Sequence, residues 1–95
     1  MVQRVKINSS NERYNNANDE ARVYDIEANV RISGGVANNF DSGKVFKNEV
    51  CIASFNWWNP NNLSITCENI GLNEQVSVLE AVNVFISDVK GTVSE

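Results

Sequence analysis

EVCIASFNWWNPNNLSITCEN, residues 49–69, is the stretch whose reading decides the fold. In its first half Cys51, Ala53, Phe55 and Trp57 alternate with Val50, Ile52, Ser54 and Asn56. In its second half Leu63, Ile65 and Cys67 alternate with Ser64, Thr66 and Glu68. Successive side chains of a strand point to opposite faces, so an apolar residue at every second position marks one buried face. The intervening Trp58-Asn59-Pro60-Asn61-Asn62 is a cluster of turn formers, and the whole reads as a β-hairpin. Aligning the two apolar faces sets Trp57 opposite Leu63, Phe55 opposite Ile65 and Ala53 opposite Cys67. Cys51 is then only a diagonal neighbour of Cys67, poorly placed for the short Cβ separation of a disulfide, so both thiols are expected free and slow to react.

Upstream, Tyr24, Ile26, Ala28, Val30 and Ile32 alternate with Asp25, Glu27, Asn29 and Arg31, giving a half-buried strand over 22–32. Ser33-Gly34-Gly35 ends it. A short strand is read at 2–7, and the polar segment 8–20, with Tyr14 its one aromatic, is read as a mobile loop. In 33–48 the residues Asn38, Asn39, Asp41, Ser42 and Gly43 suggest turns. Lys44–Lys47 suits a short edge strand guarded by its lysines.

Downstream, Val78, Leu79, Val82, Phe85, Ile86 and Val89 cover an arc about 120° wide on a helical wheel, one buried stripe of a helix over 74–90. Asn73 is the expected N-cap and Gly91 the expected stop. Its many valines lower helix propensity, so the helix should depend on the sheet. Two strands at 76–80 and 82–89 are the competing reading. The order of elements predicts a small α+β two-layer sandwich in a single domain over 1–95. Its antiparallel sheet would have three to five strands, with one C-terminal helix packed on one face.

Ninety-five residues suffice for one core without metals or disulfides. A hydrophobic fraction of 42% with 21% charged residues is that of an ordinary globular chain, which argues against overall disorder. The formal charge is −4; each half of the chain holds six acids, but seven of the eight bases lie in residues 1–47, so the net negative charge falls on 48–95. An acidic surface repels phosphate backbones, so nucleic-acid binding is not expected unless Arg22, Arg31, Lys44 and Lys47 converge on one face. No run approaches the ~18 apolar residues of a membrane span. No apolar run follows Arg4 and Lys6, so no signal peptide is read and a cytoplasmic location is expected. The chain is Asn-rich, and the clusters at 15–18, 38–39 and 59–62 mark loops. Asn8-Ser9-Ser10 and Asn62-Leu63-Ser64 match the glycosylation acceptor pattern, a chance match in a chain without a leader.

Histidine is absent, which removes the commonest general base and metal ligand together. Cys51 and Cys67 have no imidazole to activate them, both fall on the expected core face, and two thiolates alone cannot complete a zinc site. The Asn/Asp clusters lack the spacing of a calcium loop, and Gly34-Gly35 lacks that of a phosphate loop. No catalytic, cofactor-binding or metal-binding residue is therefore assigned, and the chain is not expected to be an enzyme. An enzyme would have to use Asp25 and Glu27, the closest carboxylate pair on one strand face.

Two leads remain. If Trp57 is core, Trp58 points outward beside Asn56, Asn59, Asn61 and Asn62, a platform on which a sugar ring could stack. That is the alternative, carbohydrate-binding reading. The stronger lead is apolar excess. Val23, Val50, Ile52 and Trp58 fall on the solvent face of the sheet, and Val84 lies off the helix stripe, unless the segment 36–46 folds back over them. The favoured reading is a structural or protein-interaction module that acts through a protein partner or through a homodimer. The dimer would be built either on that patch or by pairing of the proline-free strand at 22–32.

Overall fold

A computed structural model describes residues 3–6 and 11–93. Among the described residues six strands lie side by side in chain order, each antiparallel to the one before. They are β1 (Gln3–Lys6), β2 (Asn11–Asn15), β3 (Asp25–Ser33), β4 (Val36–Lys47), β5 (Val50–Trp58) and β6 (Asn62–Cys67). One helix, α1 (Leu72–Val93), follows and packs across β4 and β3 on one face. This is the antiparallel sheet under a C-terminal helix that the sequence pattern implies. Residues 2 and 7 of the expected first strand, and the Asn8-Ser9-Ser10 acceptor, lie outside the described residues.

The hairpin register is the one set by aligning apolar faces: Trp57 pairs with Leu63, Phe55 with Ile65 and Ala53 with Cys67. Past Ala53 the alternation breaks. Val45 pairs with Ala53 but Phe46 with Cys51, so Ile52 is an extra residue on β5, a β-bulge. The bulge turns Ile52 inward, where it is buried, and leaves Cys51 exposed. The expected placements of these two residues are thus reversed. Val50 pairs with Lys47, whose Nζ reaches Glu74 of α1, so Val50 also lies on the helix side of the sheet.

β4 is a long central strand, neither a set of turns nor an edge. Its inward residues are Ala37, Phe40, Gly43 and Val45, at spacings of three, three and two. One register shift lies at Asn38, between the pairs Arg31–Asn39 and Ile32–Ala37. A second lies at 41–43 and is felt by both neighbouring strands. Ser42 takes a positive φ of 52° there, and its N–H donates to Asn56 Oδ1 at 3.3 Å. Spacings of three hide a strand from any period-two reading.

The segment expected as a mobile loop contributes β2, which raises the strand count to six. Tyr14 is fully buried there, and its hydroxyl donates to Glu12 Oε1 at 2.7 Å. With β2 on one side and β4 on the other, β3 has no free edge, which removes strand 22–32 as a dimer contact.

Both hairpin turns flanking β4 use two residues at positive φ. Gly34 and Gly35 (61° and 75°) join β3 to β4, and Asn48 and Glu49 (52° and 68°) join β4 to β5. Paired positive φ angles match the right-handed twist of the strands they connect. Glycine reaches that region freely, whereas Glu49 reaches it against steric repulsion from its own Cβ.

α1 starts two residues earlier than expected. The Gln75 N–H donates to the Gly71 carbonyl at 3.0 Å and its side-chain amide to the Ile70 carbonyl at 3.1 Å, so Asn73 sits inside the first turn rather than capping it. The helix also runs through Gly91 to Val93, which packs against the core. Its buried stripe is Val78, Val82, Phe85, Ile86 and Val89. Phe85 meets Phe40 and Phe55 edge-on, with ring centroids 6.4 and 6.3 Å away, and Phe40 meets Trp57 edge-on at 5.7 Å. Lys90 places its Nζ 4.6 Å from the Trp57 ring centroid.

The ring of Phe55 covers Gly43, its cross-strand partner, so closely that a Cβ there would sit 2.6 Å from ring carbons. Gly43→Ala should therefore cost about 1–3 kcal/mol in urea unfolding, the range for overpacking a tight core. Glu49→Gly should shift the midpoint the other way, by up to ~1 kcal/mol, because it removes the Cβ repulsion at positive φ.

Candidate functional site

With α1 seated over β3 and β4, its two flanks remain open and differ in chemistry. On the flank toward the β2–β3 connection, the helix and residues 16–24 enclose a cleft of about 480 Å³. Ile26, Ala81 and Phe85 form its floor, and Val23 and Val84, both more than half exposed, stand at its mouth. Asp19, Glu74, Glu80 and Asp88 make its rim acidic.

The connecting segment is built as a wall. Asn16 Oδ1 accepts the Ile26 N–H at 2.9 Å and its Nδ2 donates to the Tyr24 carbonyl at 2.9 Å. Arg22 Nη1 donates to the carbonyls of Ala17 and Asp19, both at 2.9 Å, and its Nε pairs with Asp25 at 2.6 Å. At the start of α1, Glu74 accepts the Tyr24 hydroxyl at 2.6 Å and pairs with Lys47 at 3.1 Å. The Tyr24 hydrogen bond, followed by that from Lys47, holds the Glu74 carboxyl below its ordinary value of 4.5. Burial, reinforced by Glu74, pushes the Tyr24 hydroxyl above 10.0.

On the opposite flank, Leu72, Val76 and Leu79 recur at i, i+4 and i+7 and are exposed. Beside them lies the inner face of β6, where Leu63, Ile65 and Cys67 are only partly buried. Among the described residues β6 pairs with β5 alone, so the other side of its backbone is an open edge carrying unpaired main-chain groups.

The residues singled out from sequence do not form one surface. Ile52 is buried by the bulge and cannot belong to an interface patch. Val50, 61% exposed, is on the helix side, while Val84 and Val23 belong to the cleft. Trp58, 44% exposed, stands on the outer face at the far end of β5. The segment 36–46 does not cover that face, being β4 itself. The outer face also carries the apolar pair Phe46 and Cys51 but is otherwise mostly polar: Arg13 lies between Glu27 at 2.7 Å and Asn29 Oδ1 at 2.6 Å, and Ser54, Asn56, Ser64 and Thr66 are exposed. A wetted polar face needs no partner.

The amides around Trp58 are largely committed within the protein. Asn59 Nδ2 donates to Asn38 Oδ1 at 2.9 Å, Asn62 Nδ2 to the Asn59 carbonyl at 3.4 Å, and Asn56 Oδ1 serves Ser42. The four bases do not converge: Arg22 is ion-paired to Asp25, Lys47 is ion-paired to Glu74 on the helix side, and Arg31 and Lys44 lie exposed on the outer face. Asp25 and Glu27 are each held by an arginine, Arg22 and Arg13 respectively. Among the described residues no group of three or more His, Cys, Asp or Glu could hold a metal ion, and no helix is long and apolar enough to cross a membrane.

Sequence reasoning missed the strip along β6 and α1 by assigning Leu63, Ile65 and Cys67 wholly to the core. The available signal was the six-residue run 62–67 without a charge, followed by Leu72, Val76 and Leu79 at helical spacing. No protein-family model matches this chain, and no curated protein or solved structure matches it either.

Two outcomes follow from this geometry. Because the folded-state pKa of Glu74 lies below its ordinary 4.5, its stabilisation is present above that value and is lost as pH falls through the folded one. Urea midpoints at neutral pH and near pH 3 should therefore differ less for Glu74→Gln than for wild type. A thiol reagent should modify Cys51 in the native protein well before Cys67, and denaturation without reductant should release two equivalents.

Proposed function

We propose that this chain is a protein-interaction module whose partner is a second copy of itself, joined edge to edge through β6. The observation that supports this reading is the uncharged edge of β6, unpaired among the described residues, with a partly buried apolar face beside it. A two-fold axis perpendicular to the sheet at Ile65 pairs Ile65 with itself, Leu63 with Cys67 and Ser64 with Thr66 of the second copy. Every inner-face pair is then apolar and every outer-face pair within the strand is a hydroxyl pair. The two sheets become one of twelve strands, and the half-buried apolar side chains of β6 meet their own kind.

The other edge of the sheet is unsuited to the same pairing. β1 reads Gln3-Arg4-Val5-Lys6, and a two-fold at Arg4, Val5 or Lys6 sets cation against cation in each case. Charge on an edge is a common device against pairing, and β6 has none. The exposed stripe Leu72, Val76 and Leu79 lies on the same flank and extends the apolar surface that the second copy would shield. The commitment of three amides around Trp58 to internal hydrogen bonds counts against the carbohydrate-binding alternative.

Light scattering at hundreds of micromolar should give a mass near twice 10.6 kDa for wild type. Ile65→Lys should return it to the single-chain value, because the substitution sets two ammonium groups on the axis. In a Cys51→Ser/Cys67→Ser background, Ile65→Cys should oxidise to a covalent dimer. A monomeric wild type, or a dimer indifferent to Ile65→Lys that fails to cross-link, contradicts the proposal.

A further inference from the structure

We propose that the cleft between α1 and residues 16–24 binds a small organic cation with an apolar body, an amine carried on a hydrocarbon or aromatic frame. The inference is independent of self-association, since the cleft and β6 lie on opposite flanks of the helix.

Size, floor and charge converge on this class. At about 480 Å³ the cleft falls within the ~300–1,000 Å³ typical of small-ligand sites. Its floor of Ile26, Ala81 and Phe85 offers apolar contact, and Val23 and Val84 at the mouth are left largely uncovered by the chain. Three carboxylates of the rim, Asp19, Glu80 and Asp88, have no cationic partner among the described residues; Asp19 accepts only the Ala21 N–H at 3.0 Å. The fourth, Glu74, is already neutralised by Lys47.

The one arginine of the lining, Arg22, is spent on Asp25 and on two carbonyls of its own loop. No unpaired cation in the lining is therefore left to receive an anion. An uncharged apolar ligand would cover the floor but also take water away from the nearby carboxylates, which costs free energy. A cation on an apolar frame fills the floor and gives those carboxylates an opposite charge. The wall that Asn16 and Arg22 hold in place limits the ordering cost of binding.

The test uses two probes of the same frame and opposite charge, phenylbutylamine and phenylbutyrate, titrated into the ¹⁵N-labelled chain. The amine should shift the backbone signals of Val23, Ile26, Ala81 and Val84 and should bind at least about tenfold more tightly than the carboxylate. Glu80→Gln/Asp88→Asn, both on the exposed side of the helix rim, should weaken the amine about fivefold or more while leaving the rest of the spectrum unchanged. Asp41→Asn/Glu68→Gln, both remote from the cleft, should leave the amine's affinity as it is and so separates a local effect from the same change in net charge. Equal binding of both probes, shifts confined to other surfaces, or an amine affinity unmoved by the double substitution would overturn the proposal.

Discussion

The contact on which the remaining structure depends is the ring of Phe55 lying over Gly43. Any side chain at 43 would occupy the space the ring fills, since even a Cβ would come within 2.6 Å of it. With the ring laid across β4, Phe85 can enter between Phe40 and Phe55 and meet both edge-on. That entry fixes where α1 crosses the sheet. The helix is valine-rich, and β-branched residues cost it up to ~0.7 kcal/mol each in propensity. Burying Val78, Val82, Phe85, Ile86 and Val89 recovers roughly 1.5–3 kcal/mol apiece, so packing rather than propensity makes the helix.

A helix pinned over β3 and β4 cannot also cover the ends of a six-stranded sheet. Its two flanks inherit different residues because its own sequence is not symmetric about the buried stripe. One side carries Glu74, Glu80, Ala81, Val84 and Asp88 and faces the wall formed by residues 16–24. The other carries Leu72, Val76 and Leu79 beside an edge strand that is apolar on its inner face. We read the first as a site for a ligand and the second as a site for another copy of the chain.

The alternating segments were legible because their period survives in the structure. Tyr24 to Val30 keeps its alternation of buried and less buried side chains, and Phe55 to Cys67 pairs across the hairpin without a shift, so the hairpin register could be read pair by pair. Legibility failed wherever a bulge inserted a residue. On β5, Ile52 displaces Cys51 from the core, and on β4 the shifts at 38 and 41–43 leave inward residues three apart. β2 was hidden for a different reason: of residues 12–15 only Tyr14 and Glu12 are buried, and a glutamate facing inward carries no apolar signal. The proposed surfaces were only half visible, since Val84 and Val23 were noted as exposed but their meeting across a cleft depends on where the helix lies.

Amide hydrogen exchange measured across protein concentration tests edge pairing most directly, since it reports on β6 without any substitution. Self-pairing predicts that every second amide of Leu63–Cys67 is slow at high concentration and becomes fast on dilution, while the amides of β1 exchange alike throughout. Exchange along β6 that is fast and independent of concentration would contradict it.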